Sequence, residues 1–247
     1  MNHHERDLEC VRAATDRLLA AAGALDNAAV TKPSRLPGWS RGHVLAHLAR
    51  NADALRNVLA GRPMYESAEA RDGDIERDAP RDLAAQLADV RESAERFQRA
   101  AAEDADWSRT VELRNGVKDV ASRVPFRRWI EVELHHVDLG IGYELEDLPA
   151  EFTRRETEFL ADRFRDHPGL APLLLKQDDG RTLSTGAVGT PSVAEIKDGA
   201  AGAAGAVPPP GIVVQGAPAD LLGWLSGRRD GAALSVDRGS LPVLPPL

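Results

Sequence analysis

Two pairs of metal-ligating residue types, each with i,i+4 spacing, constrain most strongly what this chain folds into. His43 and His47 form the first pair, and Glu131 and His135 form the second. Residues four apart on an α-helix project from one face, so each pair predicts a helix with two ligand side chains on one side. Two such helices packed antiparallel close three ligands around one divalent ion and leave a coordination position open, as in catalytic zinc sites.

The sequence surrounding the two pairs has the periodicity of helices. Apolar residues at helical spacing predict four helices, over about 5–29, 41–60, 81–104 and 120–141. Ser40 is an N-cap for the second helix, and Pro125 marks a bend or the true start of the fourth. The polar segment 66–78 receives no assignment. Four helices, two of them bearing ligands, predict a helical bundle, and bundle cores are common metal sites.

The composition changes after Pro149, where strand-like runs appear. The pattern predicts helices over about 151–166 and 217–227 and strands over about 181–185, 211–215 and 232–236. Gly199 to Pro210 is almost entirely Gly, Ala and Pro, which is typical of a flexible surface loop. The predicted class is α+β, with a four-helix bundle over residues 1–149 and a smaller α+β domain over 150–247.

Charge and composition exclude several classes of function. The net charge of −8 over 247 residues disfavours nucleic acid as a partner, because phosphate binding needs a basic face. The single cysteine, Cys10, excludes an intrachain disulfide and a thiolate cluster, and we interpret it as a small apolar residue of the first helix. The sequence has neither an apolar run long enough for a membrane span nor a signal-peptide pattern at its start. We therefore expect a cytoplasmic protein that does not act at membranes.

Taken alone, the i,i+4 spacing does not decide whether the two pairs bind a metal. Histidine pairs at i,i+4 also occur on solvated helix faces or as hydrogen-bonded core groups, and Glu-x-x-x-His also occurs as a local helix pair. Glu133 lies about 160° away from the ligand face of a regular helix, which predicts a solvated carboxylate. His136 and Asp138 lie off that face too, and Asp138 is placed to cap or to pair locally.

Several segments resemble the mycothiol-dependent maleylpyruvate isomerase family, which belongs to the DinB-like metal-binding bundles. The segments are LPGWS at 36–40, HVLAHLA at 43–49 with Asn51 and Ala52, and HHVDLG at 135–140 together with Glu131. Residues 64–71 resemble a segment of the isomerases themselves. ADLLGWLSGR at 219–228 resembles the family's C-terminal domain, which is similar to sterol-carrier folds.

This resemblance implies roles for individual residues near the two helices. It implies that His47, Glu131 and His135 are the metal ligands. His43 then becomes a hydrogen-bonding neighbour of the site. Asn51 lies one turn beyond His47 and either lines the cofactor pocket or packs between helices.

The family resemblance also implies that two arginines reach the active-site cleft. Arg71 and Arg228 carry guanidinium groups, whose paired donors match the paired oxygens of a carboxylate. The alternative for each is an ordinary surface arginine. Since Arg229 adjoins Arg228, the sequence also leaves open which of the two arginines corresponds to the one in the family.

The implied reaction is the isomerisation of maleylpyruvate to fumarylpyruvate, a step of aromatic catabolism in the gentisate pathway. A divalent metal, zinc by the resemblance, would hold mycothiol as a thiolate that adds reversibly to the cis double bond. The alternatives are a mycothiol S-transferase that acts on electrophiles and a non-catalytic, metal-stabilised ligand-binding module. The expected partner is a small carboxylate substrate, and the expected assembly is a monomer or a small homo-oligomer.

Overall fold

The chain forms two compact units, Met1–Glu144 and Leu145–Leu247. A computed structural model describes residues 3–103, 105–165, 167–186 and 211–246. The change in composition puts the boundary near Pro149, whereas the second unit of the structure starts earlier. The reason is a 3-10 turn, Leu145–Asp147, which packs against the last helix of that unit.

The first unit is a helical bundle. Its described α-helices are α1 (His3–Gly23), α2 (Asn27–Val30), α3 (Arg41–Leu59), α4 (Ala68–Asp78), α5 (Leu83–Ala101) and α6 (Val124–Asp138). Both α1 and α3 pack against α5 and α6, so these four long helices form the predicted bundle. None of the described helices is both long and apolar enough to cross a membrane.

Capping residues explain two differences from the predicted helices. The helix expected over 5–29 ends at Gly23, because Asp26 caps a new short helix by accepting a hydrogen bond from the backbone N–H of Ala29. The unassigned polar segment forms α4, whose N-cap Ser67 accepts from the backbone N–H of Ala70. Few apolar residues lie in α4, so helical periodicity carried little signal there.

Helix α3 is central to the unit and is buried on nearly all sides, since it contacts α4, α5 and α6. Small residues allow this close packing. A Cβ on Gly42 would lie 2.1 Å from the carbonyl oxygen of Ala79, so only glycine lets the chain after α4 approach this helix. The first pair of predicted ligands therefore lies on a helix that is largely enclosed by its neighbours.

A short antiparallel hairpin precedes α6. Strand β1 (Thr110–Glu112) pairs with β2 (Lys118–Val120), and the connection includes Asn115 and Gly116, both with positive φ. Strands of three residues are too short for an alternating pattern to be recognised, and the sequence prediction missed them. Pro125 then lies in the first turn of α6, where its missing N–H costs no helical hydrogen bond.

The second unit packs helices against a four-stranded sheet. Its elements are α7 (Ala150–Arg163), β3 (Leu173–Gln177), β4 (Thr182–Ser184), β5 (Ile212–Gly216), α8 (Pro218–Leu225) and β6 (Ser235–Val236). The strand order is β4-β3-β5-β6, with β3 and β5 parallel and the outer pairs antiparallel. The sequence missed β3, and the predicted loop from Gly199 to Pro210 lies outside the described residues. The predicted α+β class is confirmed.

Candidate metal centre and its surroundings

The packing of α3 against α6 brings His47, Glu131 and His135 together. The Nε2 atoms of His47 and His135 lie 2.9 and 3.2 Å from the same carboxylate oxygen, Oε2 of Glu131. One ligand atom from each residue lies within 4.8 Å of the other two. Ligand atoms bonded to a tetrahedral zinc lie about 3.3 Å apart, since each bond is about 2.0–2.1 Å long. The three side chains therefore fit a single metal ion with small adjustments.

The environment of His47 and Glu131 favours the protonation states that bind a metal. Burial lowers the pKa of His47, so the imidazole is neutral at pH 7, which is its ligand form. Burial alone would raise the pKa of Glu131, but hydrogen bonds with His135 and His47 outweigh it and hold that pKa well below its usual range. Glu131 is therefore a carboxylate anion between two imidazoles.

Asp138 holds the ring of His135 from the other side. Its Oδ2 lies 2.8 Å from Nδ1 of His135, and the carboxylate is buried. Burial opposes the charged form of His135, but the hydrogen bonds to Asp138 and Glu131 outweigh this and raise its pKa. Metal-binding histidines typically donate their second ring N–H to such a carboxylate, which fixes the tautomer and leaves Nε2 for the metal.

His43 lies one turn before His47 and is occupied elsewhere. Its Nδ1 accepts from the backbone N–H of Ser40, whose hydroxyl accepts in turn from the backbone of His43, so the two residues cap α3. Its Nε2 lies 3.3 Å from Glu76. The ring of Trp39 packs beside both histidines, with centroids 6.1 Å from His43 and 5.5 Å from His47.

Arg71 reaches the cluster from α4. Its Nη2 lies 3.4 Å from Nδ1 of His47, while Nη1 donates to Asp72. The guanidinium also lies 5.9 Å from the centre of the Tyr65 ring, a cation–π distance. The structure therefore places a largely buried cation beside the three clustered side chains.

The remaining predicted residues of the first unit are engaged in helix packing. Asn51 is buried, and its Oδ1 accepts a hydrogen bond of 2.8 Å from Nη1 of Arg128. Glu133 was predicted to be solvated, and that prediction is wrong. The face of α6 opposite the cluster packs against α1, so Glu133 is buried and accepts hydrogen bonds from Arg17, Trp129 and Tyr143.

In the second unit, the two adjacent arginines have different surroundings. Arg228 donates from its backbone to Gly223 and from Nη1 to the carbonyl of Ser226. Arg229 forms ion pairs with two carboxylates, Asp220 and Glu146. Arg229 therefore has a clear structural role in this unit.

Two cavities large enough for a small-molecule ligand flank residues Met64 and Tyr65, which line both. One has a volume of about 630 Å³ and extends to the β1–β2 hairpin. The other has a volume of about 760 Å³, lies between α3 and α4, and includes Arg71. Ligand sites commonly measure about 300–1,000 Å³. The sequence predicted neither cavity, because both depend on how the loop around Met64 packs against helices, and the first depends also on the hairpin.

Comparisons with known proteins agree with the resemblance seen in the sequence. The mycothiol maleylpyruvate isomerase N-terminal domain family matches residues 11–140, and the family's C-terminal domain matches residues 147–246. Among curated proteins, none is significantly similar to the chain in sequence.

Two solved structures are similar to the whole chain. They are crystal structures of the mycothiol-dependent maleylpyruvate isomerase, one of them with a histidine-to-alanine substitution. Both are 25% identical to the chain, with TM-scores of 0.81 and 0.80, and the match covers 99% of this chain and 97% of theirs. From these matches over both units, the chain belongs to the mycothiol maleylpyruvate isomerase family.

Proposed function

We propose that this enzyme converts maleylpyruvate to fumarylpyruvate with mycothiol as a cofactor. The observation that carries the proposal is the cluster of His47, Glu131 and His135, with Arg71 beside it, in a chain of this family. Similar solved structures are those of a mycothiol-dependent maleylpyruvate isomerase.

We propose that His47, Glu131 and His135 bind one zinc ion. Two imidazoles and one carboxylate are a donor set of catalytic zinc sites, and three protein ligands leave one coordination position for an exogenous group. The carboxylate of Asp138 behind His135 supports this assignment. A zinc ion held there would keep a thiol deprotonated at neutral pH.

The chain itself has no thiol suited to this chemistry. Its single cysteine, Cys10, lies on α1, which carries none of the clustered ligands. The family match points to mycothiol as the source of the nucleophilic thiolate. Held beside His47, Glu131 and His135, this thiolate would add reversibly to the cis double bond, and the electron pair would move onto the conjugated carbonyl as an enolate. The former double bond would then be free to rotate before the thiolate leaves and the trans double bond forms.

Arg71 would bind a substrate carboxylate and stabilise the negative charge of the enolate. Its distance of 3.4 Å from His47 puts it within reach of a molecule held at the cluster. Asn51, which the resemblance associates with the cofactor, would act indirectly, because its carbonyl oxygen already accepts from Arg128.

The test is an assay of the zinc-loaded protein on maleylpyruvate with and without mycothiol. We expect turnover only when both zinc and mycothiol are present, with mycothiol unchanged at the end. We expect the Cys10→Ser variant to retain that activity, because the external thiol is the nucleophile. Activity without added thiol, or loss of activity in Cys10→Ser with its metal bound, would contradict this mechanism.

The same assay separates the alternatives. A mycothiol S-transferase would consume mycothiol in proportion to an electrophile and leave maleylpyruvate unchanged. A non-catalytic module would bind metal and show neither reaction. Quantifying free thiol and fumarylpyruvate in one reaction mixture distinguishes these outcomes from isomerisation.

We also propose that Arg228 binds a substrate carboxylate. The support for this proposal is the family resemblance of residues 219–228, which includes this arginine, and the match of the family's C-terminal domain to residues 147–246. Replacing Arg228 with alanine is expected to lower kcat/KM about a hundredfold, the usual effect of losing one charged contact to a developing anion. Metal content should not change, because Arg228 is not a ligand.

The matched control for this prediction is Arg238→Ala in the same unit. Arg238 is exposed and pairs with the adjacent Asp237, so its loss should leave turnover at the parental rate. Equal turnover of the Arg228→Ala and Arg238→Ala variants would show that Arg228 is an ordinary surface arginine.

A further inference from the structure

Arg128 is a fully buried arginine in the seam between α3 and α6. Its side chain is the largest among those with less than 2% exposure, and its Nη1 donates to Asn51. Its Nε and Nη2 atoms are buried and have no hydrogen-bond partner among the described residues. A buried guanidinium with two unused donors is unusual, because buried polar groups are normally hydrogen-bonded.

The charge of Arg128 is not neutralised by an ion pair. The described residues place no carboxylate oxygen within 4 Å of it. By contrast, Arg50 on α3, Arg81 between α4 and α5, and Arg96 on α5 each form an ion pair. Burial lowers the pKa of Arg128 to about 10, so the side chain remains charged at neutral pH. Taking such a charge out of water is costly unless something compensates for it.

The position of Arg128 relates it to the candidate metal centre. Arg128 precedes Glu131 by three residues on α6, and its partner Asn51 follows His47 by four residues on α3. Arg128 and Asn51 therefore lie between the same two helices as the cluster. They are displaced from it along the helix axes by one turn, or about 5.4 Å. At that separation, in a protein interior, unit charges interact strongly.

We propose that Arg128 acts on the metal centre through its buried charge, weakening the binding of the metal cation and strengthening the binding of the anions that react there. The first half follows from repulsion between like charges. The second half rests on the proposed function, in which a thiolate and a substrate with two carboxylates occupy the site. A side chain that serves only helix packing would have neither effect.

The experiment compares Arg128→Gln with Arg128→Lys. Glutamine retains a donor for Asn51 but removes the charge, whereas lysine retains the charge. Zinc affinity is measured on the full chain by competition with a chromophoric chelator, without substrate or thiol. Kinetic constants for maleylpyruvate are measured at saturating mycothiol, and thermal denaturation reports the fold of each variant.

We expect Arg128→Gln to bind zinc at least about tenfold more tightly than the parent and to have a KM for maleylpyruvate about tenfold higher. Arg128→Lys retains the positive charge and should therefore bind zinc with nearly the affinity of the parent. A purely structural role predicts weaker zinc binding together with lower activity, and no difference between the two variants. Zinc affinity equal to or weaker than the parent's in a folded Arg128→Gln protein overturns the proposal.

A second variant addresses loss of folding. If Arg128→Gln is unfolded, Arg128→Met combined with Asn51→Leu removes both polar partners together, so no buried group is left unsatisfied. This variant should also bind zinc more tightly, and unchanged or weaker binding overturns the proposal.

If the parent binds no zinc, the proposed metal centre fails and this inference fails with it. If the parent isomerises maleylpyruvate and the uncharged variants bind zinc like the parent, only this inference fails.

Discussion

Replacing His47 with alanine is expected to remove nearly all bound zinc and to lower turnover by a factor of about a thousand or more. His47 is buried on the central helix α3, and its Nε2 faces the carboxylate of Glu131 at 2.9 Å. Without it, only two ligands remain, both on α6, and a metal ion loses its link between the two helices. Metal catalysis contributes several kcal/mol to a reaction of this kind. Zinc content after dialysis and the rate on maleylpyruvate measure the two effects.

The matched control is His43→Gln, one turn earlier on the same helix. His43 caps α3 through Ser40, and glutamine at this position preserves a capping box. This variant should bind zinc as the parent does and unfold at a similar temperature. Full zinc occupancy in His47→Ala, or loss of zinc in His43→Gln, would show that the metal ligands have been assigned to the wrong residues.

Replacing Arg71 with alanine is expected to lower kcat/KM about a thousandfold, or about 4 kcal/mol, while zinc content stays unchanged. In the structure, Arg71 lies 3.4 Å from Nδ1 of His47. When Nε2 of His47 binds a metal, Nδ1 retains its hydrogen and no longer accepts from Arg71. The guanidinium is then available to a substrate carboxylate and to the enolate oxygen.

Two variants test whether the effect belongs to the guanidinium of Arg71. Arg71→Lys should recover only part of the activity, because lysine does not reproduce paired hydrogen bonds. Arg77→Ala, on the same helix α4, removes an exposed arginine that pairs with Asp74 and Asp78 and should leave turnover unchanged. If Arg71→Ala and Arg77→Ala have the same rate, Arg71 takes no part in the reaction.

The ligand-bearing helices were largely predictable because their signals are local. Helix α3 begins directly after Ser40, as its N-cap chemistry indicates, and ends within one residue of the expected position. Helix α6 contains the predicted i,i+4 pair and begins next to Pro125. The family was also predictable, because both units contain motifs that resemble it. The α+β class was predictable because strand-like runs follow the helical first unit. By contrast, α4 and β3 were missed, because a polar helix and a short apolar strand have weak periodic patterns.

The surroundings of the cluster depend on contacts that join distant parts of the chain. Helical spacing shows that Glu133 lies opposite Glu131, but it does not show what covers that face, and the structure covers it with α1. Likewise, no local pattern distinguishes Arg71 from the many surface arginines.

The sequence by itself determined which residues share a helix face: His47 with His43 and Asn51, and Glu131 with His135. Only the tertiary structure decided that Arg71 lies beside His47 and that Arg128 is buried with two donors that no described residue accepts from. The physical reason is that periodicity records how a segment folds on itself. The environment of a charge depends instead on which helices, far apart in sequence, pack against it.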